Sequence, residues 1–204
     1  MPLQPAEKNM PTPNQPNLMQ VDWSKIPAPQ DDGTARHLEG ASVPDLALPA
    51  TDGRSVSLAK CAGRTVVYAY PRTGKPGQIA LIDGWDEIPG ARGCTPQSCA
   101  FRDHFSDLKQ AGAAQVFGLS TQDTAYQAEA VSRLKLPFAI LSDASLDLQR
   151  ALDLPSMEVA NTTLLKRLAL VIDDGRISKV FYPVFPPDRN AEDVLAWLKA
   201  HPRA

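Results

Sequence analysis

Cysteine and histidine are scarce, with three of each in 204 residues. Three cysteines are an odd number and too few for a disulfide scaffold, so the fold has to rest on a hydrophobic core. No apolar run approaches the ~20 residues of a bilayer-spanning helix. Charge of one sign is missing as well. The 21 Lys and Arg are set against 23 Asp and Glu, a net charge of −2 with no basic block, which argues against nucleic acid or an anionic membrane as partner. Residues 1–20 carry neither a basic n-region nor an apolar h-region, so the expectation is a cytoplasmic protein. Gly74 and Gly77 stand in no strand–turn–helix context and form no phosphate-binding fingerprint, so no cofactor is expected. No internal repeat is visible.

What is present suits one domain of ordinary size with a real core: 43% hydrophobic and 22% charged residues. Seven of the 19 prolines fall in the first 30 residues, among Gln, Asn and Lys. We expect residues 1–39 to be a Pro-rich extension that is flexible or wraps as an extended arm, and residues 40–204 to be the folded domain. The run Val21 to Ile26 is an exception within the extension, with Trp23 and Ile26 as candidates to dock.

From Gly40 on, short strands are expected at Val43 to Pro49 and Ser55 to Leu58 around Asp52-Gly53. Arg64 to Pro71, β-branched and aromatic, fits a central buried strand that stops at proline. Cys61, in the loop before it, has no partner nearby in sequence and reads as structural or incidental. Further strands are expected at Gln115 to Ser120 and Phe138 to Ser142, with a helix from about Gln122 to Leu134 capped by Thr121 and a short one from Ser145 to Leu152. Leu168 to Asp173 and Ile177 to Tyr182 flank the hairpin signal Asp174-Gly175. Asn190 with Asp193 opens a C-terminal helix. Strands that alternate with helices, then a closing hairpin and helix, indicate an α/β fold with a mixed central sheet flanked by helices. The 22 residues from Arg72 to Gly93 have no clear periodicity, and a stretch of that length inside a compact domain is usually functional.

The chemistry concentrates in Arg92-Gly93-Cys94-Thr95-Pro96-Gln97-Ser98-Cys99-Ala100-Phe101-Arg102-Asp103. Two cysteines five apart stand at the start of an expected helix over roughly residues 96–110, with Pro96 in its first turn and Thr95 as N-cap. Orphan N–H groups at a helix start carry partial positive charge and favour a thiolate, the reactive form of cysteine, so Cys94 reads as a nucleophile. Zinc is a poor fit. Cys94, Cys99 and His104 leave a tetrahedral site one ligand short.

The run Gly-Cys-Thr-x-x-x-Cys-x-Phe-Arg-Asp resembles the active-site run of the peroxiredoxins of the Q type, also called bacterioferritin-comigratory proteins. The resemblance covers about residues 40 to 200 and includes Tyr70-Pro71, Leu136-Pro137-Phe138 and Leu141-Ser142-Asp143. It implies a thioredoxin-like fold and a peroxidase, with Cys94 as the peroxidatic thiol and Cys99 as the resolving one. It implies Arg167, at the start of the Leu168 strand, as the cation beside the thiolate. Pro71, matching the family's Tyr-Pro, is a candidate to bind substrate, and position in this chain adds Thr95 and Arg92, the latter two before Cys94. The chain departs from the family's Pro-x-x-x-Thr/Ser-x-x-Cys: Ala91 stands where a hydroxyl is usual and Glu87 where proline is, so a hydroxyl would have to come from Thr73 or Thr95. The expected partners are a hydroperoxide and thioredoxin or a similar dithiol protein, which reduces an intramolecular disulfide by thiolate exchange. Monomer and homodimer are both compatible with the sequence. Two other functions stand beside this one. A redox-sensing or binding module of the same fold is favoured by Ala91, and a general disulfide reductase is disfavoured because Cys-x-x-Cys is absent.

Overall fold

The computed structural model describes residues 21–203 apart from Ile79, so the N-terminal half of the expected arm lies outside the described residues. A five-stranded mixed sheet forms the centre. Strand β3 (Arg64–Ala69) is its middle, flanked by the parallel β4 (Ala113–Ser120) and the antiparallel β8 (Leu168–Asp173). The edges are β5 (Ile140–Ser142), parallel to β4, and β9 (Arg176–Phe181), antiparallel to β8. Two hairpins sit outside this sheet: β1 (Leu48–Pro49) with β2 (Ser55–Val56), and β6 (Ser156–Val159) with β7 (Thr162–Leu165). The helices are α1 (Cys94–Asp103), α2 (Phe105–Gln110), α3 (Thr124–Leu134), α4 (Asp147–Leu152) and α5 (Asn190–Ala200).

All six residues of β3 are buried, as a strand covered on both faces requires, and their alternation divides the core in two. Val66 and Tyr68 point to the layer that contains Cys94, Phe101, Leu108 and Val194; Val67 and Ala69 point to the layer of Leu148, Leu152 and Leu170. The mixed α/β expectation therefore holds, and strand β3 stops at Ala69, just before Tyr70-Pro71.

Several local expectations need correction. The helix of residues 122–134 is capped by Asp123, whose carboxylate accepts from Tyr126 N, and not by Thr121, whose hydroxyl instead donates to Thr163 O. Asn190 makes no side-chain cap on α5. The expected strand over Val43 to Pro49 shrinks to two residues. The β6–β7 hairpin was not foreseen, because its two-residue turn puts Ala160 and Asn161 at φ +49° and +57°, a left-handed pair for which alanine gives no signal. On the N-terminal side of residue 40, Ala35 and Leu38 lie in the core.

The Asp174-Gly175 turn anchors the sheet against the loop before β3. Gly175 has φ +80°, and a Cβ there would lie 2.6 Å from Ala59 O. Gly175→Ala therefore combines a strained backbone with a clash, and we expect it to destabilise the fold by about 2–3 kcal/mol. Urea denaturation reads this as a lower midpoint with an unchanged slope; an unchanged midpoint would contradict the placement.

Candidate active site

The site is built at the start of α1. The helix begins at Cys94, two residues earlier than its sequence suggests, because Gly93 turns the chain with φ +107°. No side chain fits at that position: a Cβ would lie 2.6 Å from Pro187 Cγ and 2.7 Å from Trp23 Cη2. Thr95 is thus the second helical residue and not the N-cap, a place held by Gly93 with no capping side chain. Pro96 has no N–H, and Gln97 N donates to Gly93 O at 3.0 Å. The helix start therefore offers the N–H groups of Cys94 and Thr95 to an anion.

Arg167, in the link between β7 and β8, is 2% exposed and reaches this point. Its Nη2 lies 3.3 Å from Cys94 Sγ and also donates to the carbonyls of Gly90, Ala91 and Arg92 at 3.1, 3.3 and 3.0 Å. Its Nη1 donates to Gln97 Oε1. Among the described residues no carboxylate pairs with this guanidinium, and Cys94 Sγ is the nucleophilic atom within its reach. As a thiol, Cys94 donates to Ala91 O at 3.6 Å.

Two polar residues that the sequence reading passed over hold the arginine. Arginine can only donate, so Gln97 must present Oε1 to it, which leaves Gln97 Nε2 to donate to Asn190 Oδ1 at 2.9 Å. Gln97 is wholly buried and Asn190 is 1% exposed, and Asn190 Nδ2 has no partner among the described residues. The only hint in the sequence is spacing: residue 97 is i+3 from Cys94 and falls on the same side of a helix.

Cys99 lies in the same unbroken helix, and burial pushes its thiol above the usual cysteine range, opposed in part by Arg102. Ser98 accepts from the buried Tyr68 hydroxyl at 3.1 Å, and Phe101 stacks on the Tyr68 ring with centroids 4.3 Å apart. Cys61 sits in the opposite core layer, where its thiol donates to Ser57 O.

A pocket of about 380 Å³ opens beside Cys94, and residues of the 72–93 segment form much of its wall. Leu81, Ile82, Trp85, Ala91 and Pro96 give it apolar surface, and Arg72 and Lys75 both lie over the Tyr126 ring at one side. Of the residues singled out as substrate contacts, Thr95 and Arg92 line the pocket, and Arg92 is ion-paired with Asp86 there. Pro71 is buried and is not among the lining residues. Thr73 is buried too, its hydroxyl 3.1 Å from Gln122 Oε1, so Thr95 is the threonine that reaches the pocket.

The Gln97 bridge has a measurable consequence. Gln97→Leu leaves Arg167 Nη1 and Asn190 Oδ1 unpaired in the core, and each such loss costs about 1–3 kcal/mol. We expect a lower unfolding midpoint and a slower reaction with peroxide; wild-type values of both would show that the bridge is not formed.

Comparison with known proteins places the fold in a family. The Redoxin family matches residues 38–195. The chloroplastic peroxiredoxin Q of Oryza sativa subsp. japonica is 35% identical over 164 residues, 79% of this chain and 67% of that protein. The chloroplastic peroxiredoxin Q of Arabidopsis thaliana is 34% identical, with the same coverage. Among solved structures, peroxidoxin BcpB from Mycobacterium tuberculosis superposes with a TM-score of 0.63 at 25% identity, covering 81% of this chain and 98% of that one. Peroxiredoxin Q from Xanthomonas campestris, at 24% identity and a TM-score of 0.61 over 80% of this chain and 96% of that one, shares the fold. The chain thus belongs to the Redoxin family and, within it, to the Q-type peroxiredoxins, which are thiol-dependent peroxidases.

Proposed function

We propose that Cys94 is the peroxidatic thiol, Cys99 the resolving thiol and Arg167 the cation that serves the first step. The observation that carries this reading is the 3.3 Å contact between Arg167 Nη2 and Cys94 Sγ, both groups buried. In the first step the Cys94 thiolate attacks the terminal oxygen of a hydroperoxide and the O–O bond breaks. The sulfur becomes a sulfenic acid, and the departing oxygen takes up a proton to leave as water or an alcohol. Charge moves from sulfur to that oxygen, so a guanidinium fixed within reach of both lowers the barrier without reorganising. The N–H groups of Cys94 and Thr95 add to the same field.

In the second step Cys99 attacks the Cys94 sulfenic acid, giving a disulfide and water. A dithiol protein of the thioredoxin type then returns both cysteines to thiols, which sets the chemistry in a reducing compartment. Cys94 and Cys99 are five apart in one helix, too far for a disulfide, so resolution has to follow an opening of α1, and burial disfavours the Cys99 thiolate until then.

The pocket supports organic hydroperoxides as substrates alongside hydrogen peroxide, because about 380 Å³ with apolar walls exceeds what a molecule of two oxygens needs. It also speaks against a pure sensing module. Ala91 removes a hydroxyl, but its carbonyl accepts from Arg167, so the backbone that supports the guanidinium is kept.

Cys94→Ser should abolish turnover, whereas Cys99→Ser should consume about one equivalent of peroxide and stop at the sulfenic acid. Equal loss of the first turnover in both variants would overturn the assignment. Arg167→Ala should slow the first step by about 100-fold or more, the scale of losing a charged transition-state donor, with lysine restoring only part. Stopped-flow measurement of one turnover tests this, and a wild-type rate would exclude Arg167.

A further inference from the structure

The match to the family begins at residue 38, yet residues before it pack against the backbone that forms the site. Trp23 lies on Gly93, the residue that starts α1. Its indole Nε1 donates to Asp188 Oδ2 at 2.8 Å, and its ring stands edge-on to Phe185 with centroids 6.0 Å apart. Pro29 approaches Gly90, whose carbonyl accepts from Arg167: a Cβ on Gly90 would be 3.5 Å from Pro29 Cβ. Asp32 accepts from Lys166 Nζ at 2.6 Å and from the Tyr182 hydroxyl at 2.8 Å, next in sequence to Arg167. Three points of this segment thus bear on the backbone that forms the site.

Disulfide formation requires that backbone to move. Positions i and i+5 of an intact helix have Cα atoms about 8.6 Å apart and point some ~140° away from each other. A disulfide tolerates at most about 7 Å with the Cβ atoms facing. The helix must therefore open between Cys94 and Cys99, and opening from its N-terminal end moves Gly93, which the indole and Pro187 hold between them.

We propose that Trp23 is a positioning residue that acts through Gly93: it holds Cys94 in the peroxide-reactive geometry and has to lift before Cys99 can resolve the sulfenic acid. The proposal rests on the assignment of Cys94 and Cys99 above. While Trp23 is seated, the Cys94 sulfenic acid waits. It then has two fates, attack by Cys99 to give the disulfide and water, or reaction with a second hydroperoxide to give the sulfinic acid and an alcohol or water. Trp23 sets the ratio of the two.

The test uses the full chain as wild type, Trp23→Ala, Trp23→Phe and Asp188→Leu. Rapid quench with mass analysis follows sulfenic acid, disulfide and sulfinic acid after a peroxide pulse. Trp23→Ala should form the disulfide about 5-fold faster and need about 5-fold more peroxide to become half sulfinic, the scale of one lost hydrogen bond with its packing. Trp23→Phe, which keeps a ring over Gly93 without the bond to Asp188, should fall between. Asp188→Leu should shift the ratio in the same direction with the indole retained, and it decides the matter if Trp23→Ala does not fold. Wild-type disulfide rate and sulfinic fraction in the folded variants would overturn the proposal. Normal first turnover in Cys94→Ser would instead overturn the thiol assignment itself, so the two failures are distinct.

Discussion

A buried guanidinium without a carboxylate is the constraint on which this site depends. Arg167 has left water and is met by three backbone carbonyls, one amide oxygen and one sulfur. The carbonyl and amide oxygens meet its two terminal nitrogens but cancel no charge, and Nε has no partner among the described residues, so negative charge that develops at Cys94 or on a departing oxygen beside it meets an uncompensated cation. The same contacts fix the chain from Gly90 to Arg92 and, through Gln97 and Asn190, tie α1 to α5. Reactivity and local architecture therefore come from one set of hydrogen bonds.

That economy creates a conflict within α1. The first step needs the helix intact, because its N–H groups and Arg167 converge on Cys94 only in that form. The second step needs it open. The polar first turn, Thr95 to Ser98, suggests from composition that it opens at little cost. The structure overturns that expectation: Thr95 is 5% exposed, Gln97 and Ser98 are fully buried, and Phe101 stacks on Tyr68 beneath them. Opening breaks the Gln97 and Ser98 hydrogen bonds, and Trp23 packs against Gly93 at its N-terminal end. Resolution is thus the step that the fold opposes.

What could be read in the sequence is what local pattern encodes. The Gly93 to Asp103 run, the all-buried β3 and the Asp174-Gly175 hairpin are each short in sequence and need no distant partner to be recognised. The helix start is not legible, because Thr95 offers a side-chain cap in the sequence while the chain turns by the backbone of Gly93. Gln97 and Asn190 are 93 residues apart and look like surface polar residues until the fold brings them together. The role of the 72–93 segment was hidden for the same reason, since a pocket wall carries no periodicity. Trp23 is legible as a candidate to dock, but its docking partners, Gly93 and Asp188, lie far along the chain.

The central claim is that α1 serves two geometries that cannot coexist, and hydrogen exchange of the reduced and oxidised protein tests it most directly. With the Cys94–Cys99 disulfide confirmed by mass, amides from residue 94 to 103 should lose protection while those of β3 and β8 keep theirs. Unchanged protection over residues 94–103 in the disulfide form would contradict the account, because an intact helix cannot hold that bond.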